Sequence, residues 1–308
     1  MPPPGQTITK VFATFSHGES ELPKCSLEDV KNILLLGGTG KTGRRIARRL
    51  QSDGEPVRTA SRTSGDIPFD LDDPATWAPA LDGATAAYIV EPDLRAGLDR
   101  QARIPRLVTE AVAAGVRRLV LLSAPGAETN GHPLQAAEQA VRGSGVAWTI
   151  LRPSWFSQNF SEAFWLHEVR KGTLSLPTGD GRTAFVDAED IAEVAAAALT
   201  EDRHSGQIYE LTGPRAISFG EAAGLIGTAT GRTIRHTDVD PEVFVERQVA
   251  NGVPPDVARL LTGLYVAIRD GRDAALRDGV ERALGRPPRR FEDYVTETAA
   301  AGHWNRPT

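Results

Sequence analysis

Ile33-Leu34-Leu35-Leu36-Gly37-Gly38-Thr39-Gly40-Lys41-Thr42-Gly43 is the stretch that decides the fold. Four consecutive apolar residues fit a strand covered on both faces, as in a parallel sheet. A glycine turn follows, and then a helical pattern with Ile46, Ala47 and Leu50 on one side and Arg44, Arg45, Arg48 and Arg49 on the other. In such a unit the first glycine permits the tight turn. The second lets backbone approach a pyrophosphate, and the third lets the helix pack close to the strand. Phosphate then meets free N–H groups at the positive end of the helix. The glycine spacing alone is a weak signal, but its place between strand and helix makes it a dinucleotide site. The residues assigned to it are Gly37, Gly38, Thr39, Gly40, Lys41, Thr42 and Gly43.

Working outward, strand patterns recur at 56–60, 67–69, 86–90, 119–122 and 146–151, the last closed by Pro153. Helical patterns at 74–81, 98–114 and 133–141 separate them. This alternation predicts an α/β fold: a doubly wound parallel sheet of the NAD(P)-binding Rossmann type. Beyond Pro153 the rhythm changes, with helices expected at 155–171, 190–199, 218–230, 241–250, 255–268 and 291–301. A strand at 207–211 is expected to return to the sheet. The chain therefore divides into an extension at 1–31 that reads as disordered, a cofactor-binding core at 32–154, and a smaller, mainly helical C-terminal lobe at 155–308.

Ligands of such sheets lie at the carboxyl ends of the strands, which singles out further residues. A fold specific for NAD places an acid about 20 residues past the glycines. Here the second strand pattern runs into Ser61 and Arg62. A guanidinium at that place suits a 2′-phosphate, with Ser61 adding a hydroxyl, so the expected cofactor is NADP(H). Asp70 falls near the expected adenine. Val90, Glu91 and Pro92 fall over the ribose, and Ser123 and Ala124 lie near the nicotinamide, with Pro153 completing the set.

The 308 residues carry a net charge of −5, with 40% apolar and 24% charged residues, which is ordinary for a soluble globular chain. No basic excess advertises nucleic-acid binding. No apolar run approaches the ~20 residues that cross a bilayer. Cys25 is the lone cysteine, and the six histidines lack metal-helix spacing, so no metal is expected. The expected setting is cytoplasmic, as a monomer or homodimer acting on a small molecule. The four tyrosines are Tyr88, Tyr209, Tyr265 and Tyr294, and none has a lysine four residues later. A Tyr-x-x-x-Lys proton donor is therefore missing.

Leu36 to Arg44, the run Trp148-Thr149-Ile150-Leu151-Arg152-Pro153-Ser154-Trp155-Phe156, and Gln158-Asn159-Phe160 resemble the NmrA-like branch of the atypical short-chain dehydrogenases. Thr178 to Arg182, Phe185 to Ala192 and Ala300 to Trp304 point within it to the festuclavine and agroclavine dehydrogenase-like proteins. The resemblance spans residues 33 to 304 and implies a Rossmann core, a small C-terminal lobe and NADP(H). Relatives reduce quinones, triphenylmethane dyes, iminium groups or benzylic ethers, or bind the dinucleotide as redox-sensing regulators. Ether-reducing relatives carry a lysine on the helix after the fifth strand, where Gln135 stands here.

The resulting expectation is an NADPH-dependent reductase delivering hydride to an electrophilic acceptor such as an iminium or quinone. The alternative is a non-catalytic NADP(H)-sensing regulator that binds a protein partner. Trp155, Phe156, Asn159 and Phe160 are the candidate acceptor pocket, and the aromatics fit a lobe core equally well. His132, as a proton donor, and Ser123 are the candidate catalytic residues, although a lone loop histidine more often faces solvent. Arg286, Arg289 and Arg290 read as a solvated loop.

Overall fold

The computed structural model describes residues 32–92, 101–129, 131–162 and 164–305. The extension at 1–31 and the start of the helix expected at 98–114 lie outside them. The chain runs β1 (Ile33–Leu36), α1 (Gly43–Ser52), β2 (Val57–Ser61), β3 (Ile67–Pro68), α2 (Trp77–Leu81), β4 (Ala86–Val90), α3 (Arg103–Ala113), β5 (Arg118–Leu122), α4 (Gln135–Arg142) and β6 (Ala147–Pro153). It continues through α5 (Leu166–Lys171), β7 (Thr173–Leu176), β8 (Arg182–Thr183), α6 (Ala188–Thr200), β9 (Gln207–Leu211) and β10 (Ile217–Ser218). Then come α7 (Phe219–Thr230), β11 (Arg235–Asp238), α8 (Pro241–Ala250), α9 (Pro255–Arg269), α10 (Gly279–Leu284) and α11 (Phe291–Ala300).

Seven parallel strands form one sheet in the order β3-β2-β1-β4-β5-β6-β9. The order reverses direction between β1 and β4, which opens a crevice at the carboxyl ends of those strands. Alternation along the strands separates two cores. Ile33 and Leu35 join α1, α6 and α10 on one face. Leu34 and Leu36 join α2, α3 and α4 on the other. This is why β1 is apolar throughout. The expected returning strand is β9, with Gln207 opposite Thr149 of β6.

A third core gathers Phe160, Trp165, Phe185, Phe219, Tyr265, Phe291, Tyr294 and Trp304. Helices dominate this region as expected, but two small sheets interrupt them. β7 pairs with β11, and β8 with β10.

The helix expected over 155–171 forms only at its end. Phe156 is instead extended and bridges Val186 in parallel. Ser157 donates its N–H to Val186, whose own N–H goes to Trp155. The Gln158 amide spans the Asp187 carboxylate and the Ala188 N–H, at 2.7 Å each. Backbone and side-chain groups are thus satisfied across the chain, and the segment turns through a 3-10 turn at Ser157–Phe160 before α5 begins. The arginines expected in a solvated loop are also engaged. Arg286 and Arg289 both reach Asp190 and Glu193 of α6.

Candidate functional site

β1 delivers the glycine loop to the crevice. Gly37 has φ +68°, a conformation that side chains rarely adopt. At Gly43 a Cβ would stand 2.3 Å from the Gly37 carbonyl oxygen and 2.7 Å from the Gly38 Cα, so no side chain fits. Bare backbone therefore lines the start of α1. Among the described residues, no hydrogen bond occupies the N–H groups of Thr39, Lys41, Thr42 or Gly43. A cradle closed to Cβ atoms, with unspent N–H groups at a helix N-terminus, fits a dinucleotide pyrophosphate. Beneath it, the buried Thr42 hydroxyl pairs with that of Tyr88 on β4 at 2.9 Å. The loop is thereby pinned to the neighbouring strand.

At the end of β2, Ser61 accepts the Ser64 N–H at 3.2 Å, and Arg62 is exposed. Sequence reasoning missed Asp66. Its carboxylate accepts both the N–H and the hydroxyl of Thr59 at 2.8 Å, and these bonds hold it below the usual carboxylate range. They fix the turn that carries Arg62. Asp70 accepts the Asp72 N–H and its carbonyl accepts from the Trp77 indole, so its groups serve the turn. Glu91 is held by Arg103 at 2.6 Å, and Arg103 also holds Asp72. Val90 lies against Gly37, with Pro92 two residues on.

At the end of β5, the buried Ser123 hydroxyl donates to Glu138 at 2.5 Å. Glu138 is paired through both oxygens with Arg152 at 2.9 and 2.6 Å, and Arg152 reaches Glu128 at 2.7 Å. This buried network commits the Ser123 hydroxyl to a carboxylate and leaves it poorly placed to donate to a substrate. Ala124 follows it. His132 is half-buried rather than solvent-facing. Its Nδ1 accepts the Leu134 N–H at 3.1 Å, and burial lowers its pKa, so the ring stands neutral with its proton on Nε2.

Past Pro153, the four pocket candidates separate. Phe160 is wholly buried and meets Trp165, Phe185, Phe219 and Phe291, so it belongs to the third core and lines no opening. Trp155 is partly exposed and stacks on Tyr265 of α9 at 5.6 Å. Phe156 is half-buried, and its ring centre lies 5.6 Å from the Lys41 ammonium. The Asn159 side-chain oxygen accepts a hydrogen bond from that same Lys41. Lys41 therefore reaches out of the glycine loop to the segment after β6. Burial pulls its pKa down to about 8, with Arg45 and Arg44 adding to the fall and Glu162 opposing it. Only its place in the glycine motif singled it out in the sequence, and nothing there told where its amine would go.

Arg45 ties the same parts together. It donates to the Lys41 carbonyl and to Glu189, both at 2.8 Å, and pairs with Glu162. Among the described residues, no helix is long and apolar enough to cross a membrane, and no cluster of metal-ligating side chains occurs.

Known proteins match this chain over most of its length. A family model described as NAD(P)H-binding matches residues 37–202. The chain is 35% identical over 280 residues to the uncharacterized oxidoreductase YesF of Bacillus subtilis, covering 88% of this chain and 96% of that one. It is 30% identical over 281 residues to agroclavine dehydrogenase of Claviceps fusiformis, covering 86% and 96%. Among solved structures, the triphenylmethane reductase of Citrobacter sp. complexed with NADP(H) superimposes with a TM-score of 0.68 at 21% identity, covering 87% of this chain and 99% of that one. At that identity the likeness speaks to fold alone.

Proposed function

The chain belongs to the NAD(P)H-binding family and is a relative of oxidoreductases, and from that premise we propose that it is an NADPH-dependent reductase of an electrophilic small molecule. The observation that carries the reading is the bare-backbone cradle at Gly37–Gly43, open at the point where the strand order reverses. Arg62, exposed just past the end of β2, supports the phosphorylated cofactor over NADH.

A bound reduced nicotinamide supplies hydride. The protein's part is orientation. The glycine loop holds the pyrophosphate, and Thr42 on Tyr88 keeps the loop still. Trp155 and Phe156 offer aromatic faces to a flat acceptor and attract a cationic one. Fixing two reactants in one geometry lowers a barrier by several kcal/mol, and by about 7–11 kcal/mol in the best cases. Iminium ions, quinones and cationic dyes are already electrophilic, which suits a site without a Tyr-x-x-x-Lys pair.

The test is NADPH consumption against a panel of quinones, cationic triarylmethane dyes and cyclic imines. Turnover of at least one class is expected. Tight NADPH binding with no turnover of any of them would instead favour the regulator.

A further inference from the structure

Lys41 stands where the glycine loop meets the segment after β6. Its amine donates to Asn159, and the rings of Phe156 and Phe164 lie 5.6 and 6.0 Å from it. Phe164 is 61% exposed and takes φ +23°, an uncommon conformation for a residue with a side chain. An ammonium is thus held among aromatic faces at the carboxyl end of the sheet. We propose that Lys41 is the proton donor to acceptors whose reduction leaves an oxyanion, replacing the absent tyrosine–lysine pair. This rests on the reductase reading and extends it.

A reduced nicotinamide, when bound, would supply hydride, and a quinone carbonyl so reduced would place its former π pair on oxygen. That oxygen takes a proton as an N–H bond of the Lys41 ammonium breaks. Water then returns a proton to the amine. A cationic triarylmethane dye needs hydride alone, because its product is neutral. Lysine suits the role where arginine does not, since a guanidinium keeps its proton at any working pH. Among thirty arginines and five lysines, the loop carries a lysine.

The charges facing Lys41 are few. Arg44 and Arg45 of α1 oppose its protonation, and Glu162 favours it. Glu189 of α6 acts through Arg45. Together with burial they leave the amine titrating at about 8, near the range in which an acid catalyst works best. A bound dinucleotide adds negative charge and raises that value.

The experiment compares Lys41→Met, Lys41→Arg and Asn159→Leu with the wild type on one quinone and one cationic dye. Both lysine variants are expected to lower the quinone-to-dye ratio of kcat by about 100-fold, the lower end of general acid catalysis. In the wild type the quinone kcat falls at high pH along a limb that the dye lacks. Asn159→Leu keeps the amine but loosens it, and lowers the ratio less. A readout apart from turnover is labelling of Lys41 by an amine reagent against pH, followed by mass spectrometry. Its midpoint lies near 8 in the cofactor-free protein and moves up with NADP⁺. Equal losses on both acceptors with weakened NADPH binding would make Lys41 a cofactor ligand and overturn the proposal. A labelling midpoint near that of an ordinary lysine would do the same. If no acceptor turns over in the wild type, the reductase reading falls as well. If turnover survives with an unchanged ratio, this proposal falls alone.

Discussion

The glycine loop after β1 and the aromatic segment after β6 stand at the same end of one sheet, and they are held by opposite means. The loop is shaped by what is missing. A Cβ at Gly43 would strike the Gly37 carbonyl, and Gly37 itself needs a positive φ. The Gly43 constraint lies within seven residues, and Val90 and Thr59 on the neighbouring strands crowd Gly37 and Gly38. The segment at 155–165 is shaped by distant partners: Val186, Asp187 and Ala188 take its polar groups, and Phe185, Phe219 and Phe291 take its rings. Local sterics make one wall of the proposed site, and long-range packing makes the other. Damage to the first should therefore reach the cofactor, and damage to the second should reach the fold.

The largest effect expected from that contrast is at Phe160. Phe160→Ala should destabilise the protein by about 3–5 kcal/mol in denaturant unfolding, as deep aromatic truncations do. A loss under about 1 kcal/mol would mean that the ring lines open space after all. Next is Gly43→Ala. Its Cβ has nowhere to go, so NADPH binding measured by calorimetry should weaken by about 100-fold, close to 3 kcal/mol. Stability should fall by no more than the roughly 1–3 kcal/mol of an overpacked site. Unfolding without a selective loss of cofactor would erase the distinction between the two walls. Smallest is Arg62→Ala. It should cost NADPH about 1.5–3 kcal/mol, the worth of a charge-assisted hydrogen bond, while NADH binding stays put. Equal cofactor affinities in the wild type would remove Arg62 from the site.

The same contrast explains what the sequence made legible. Ile33–Leu36, the glycines and the face of Ile46, Ala47 and Leu50 carry their instructions locally, so strand, turn and helix could all be read from them. The 155–171 stretch has aromatics at helical spacing, and spacing cannot tell a helix from a looped segment packed on a remote strand. β8 and β10 are two residues each, too short for any period, and β11 is largely polar and exposed. Ser123 was visible as a strand-end hydroxyl, but its bond to Glu138 depends on how α4 packs. Lys41 was visible as part of a motif. That its amine turns to Asn159, 118 positions away, was not.

Arg45 joins the two walls, through the Lys41 carbonyl on one side and Glu162 on the other, with Glu189 of α6 as a further partner. Two walls clamped by Arg45 and Arg44 on Glu162 and by Lys41 on Asn159 leave little room for either to drift separately as substrates diversify. The freer boundary is α9, which meets Trp155 through Tyr265 and is backed by Phe244 of α8. A laboratory evolution library aimed at new acceptors would do best to vary that helical pair and leave the clamp alone.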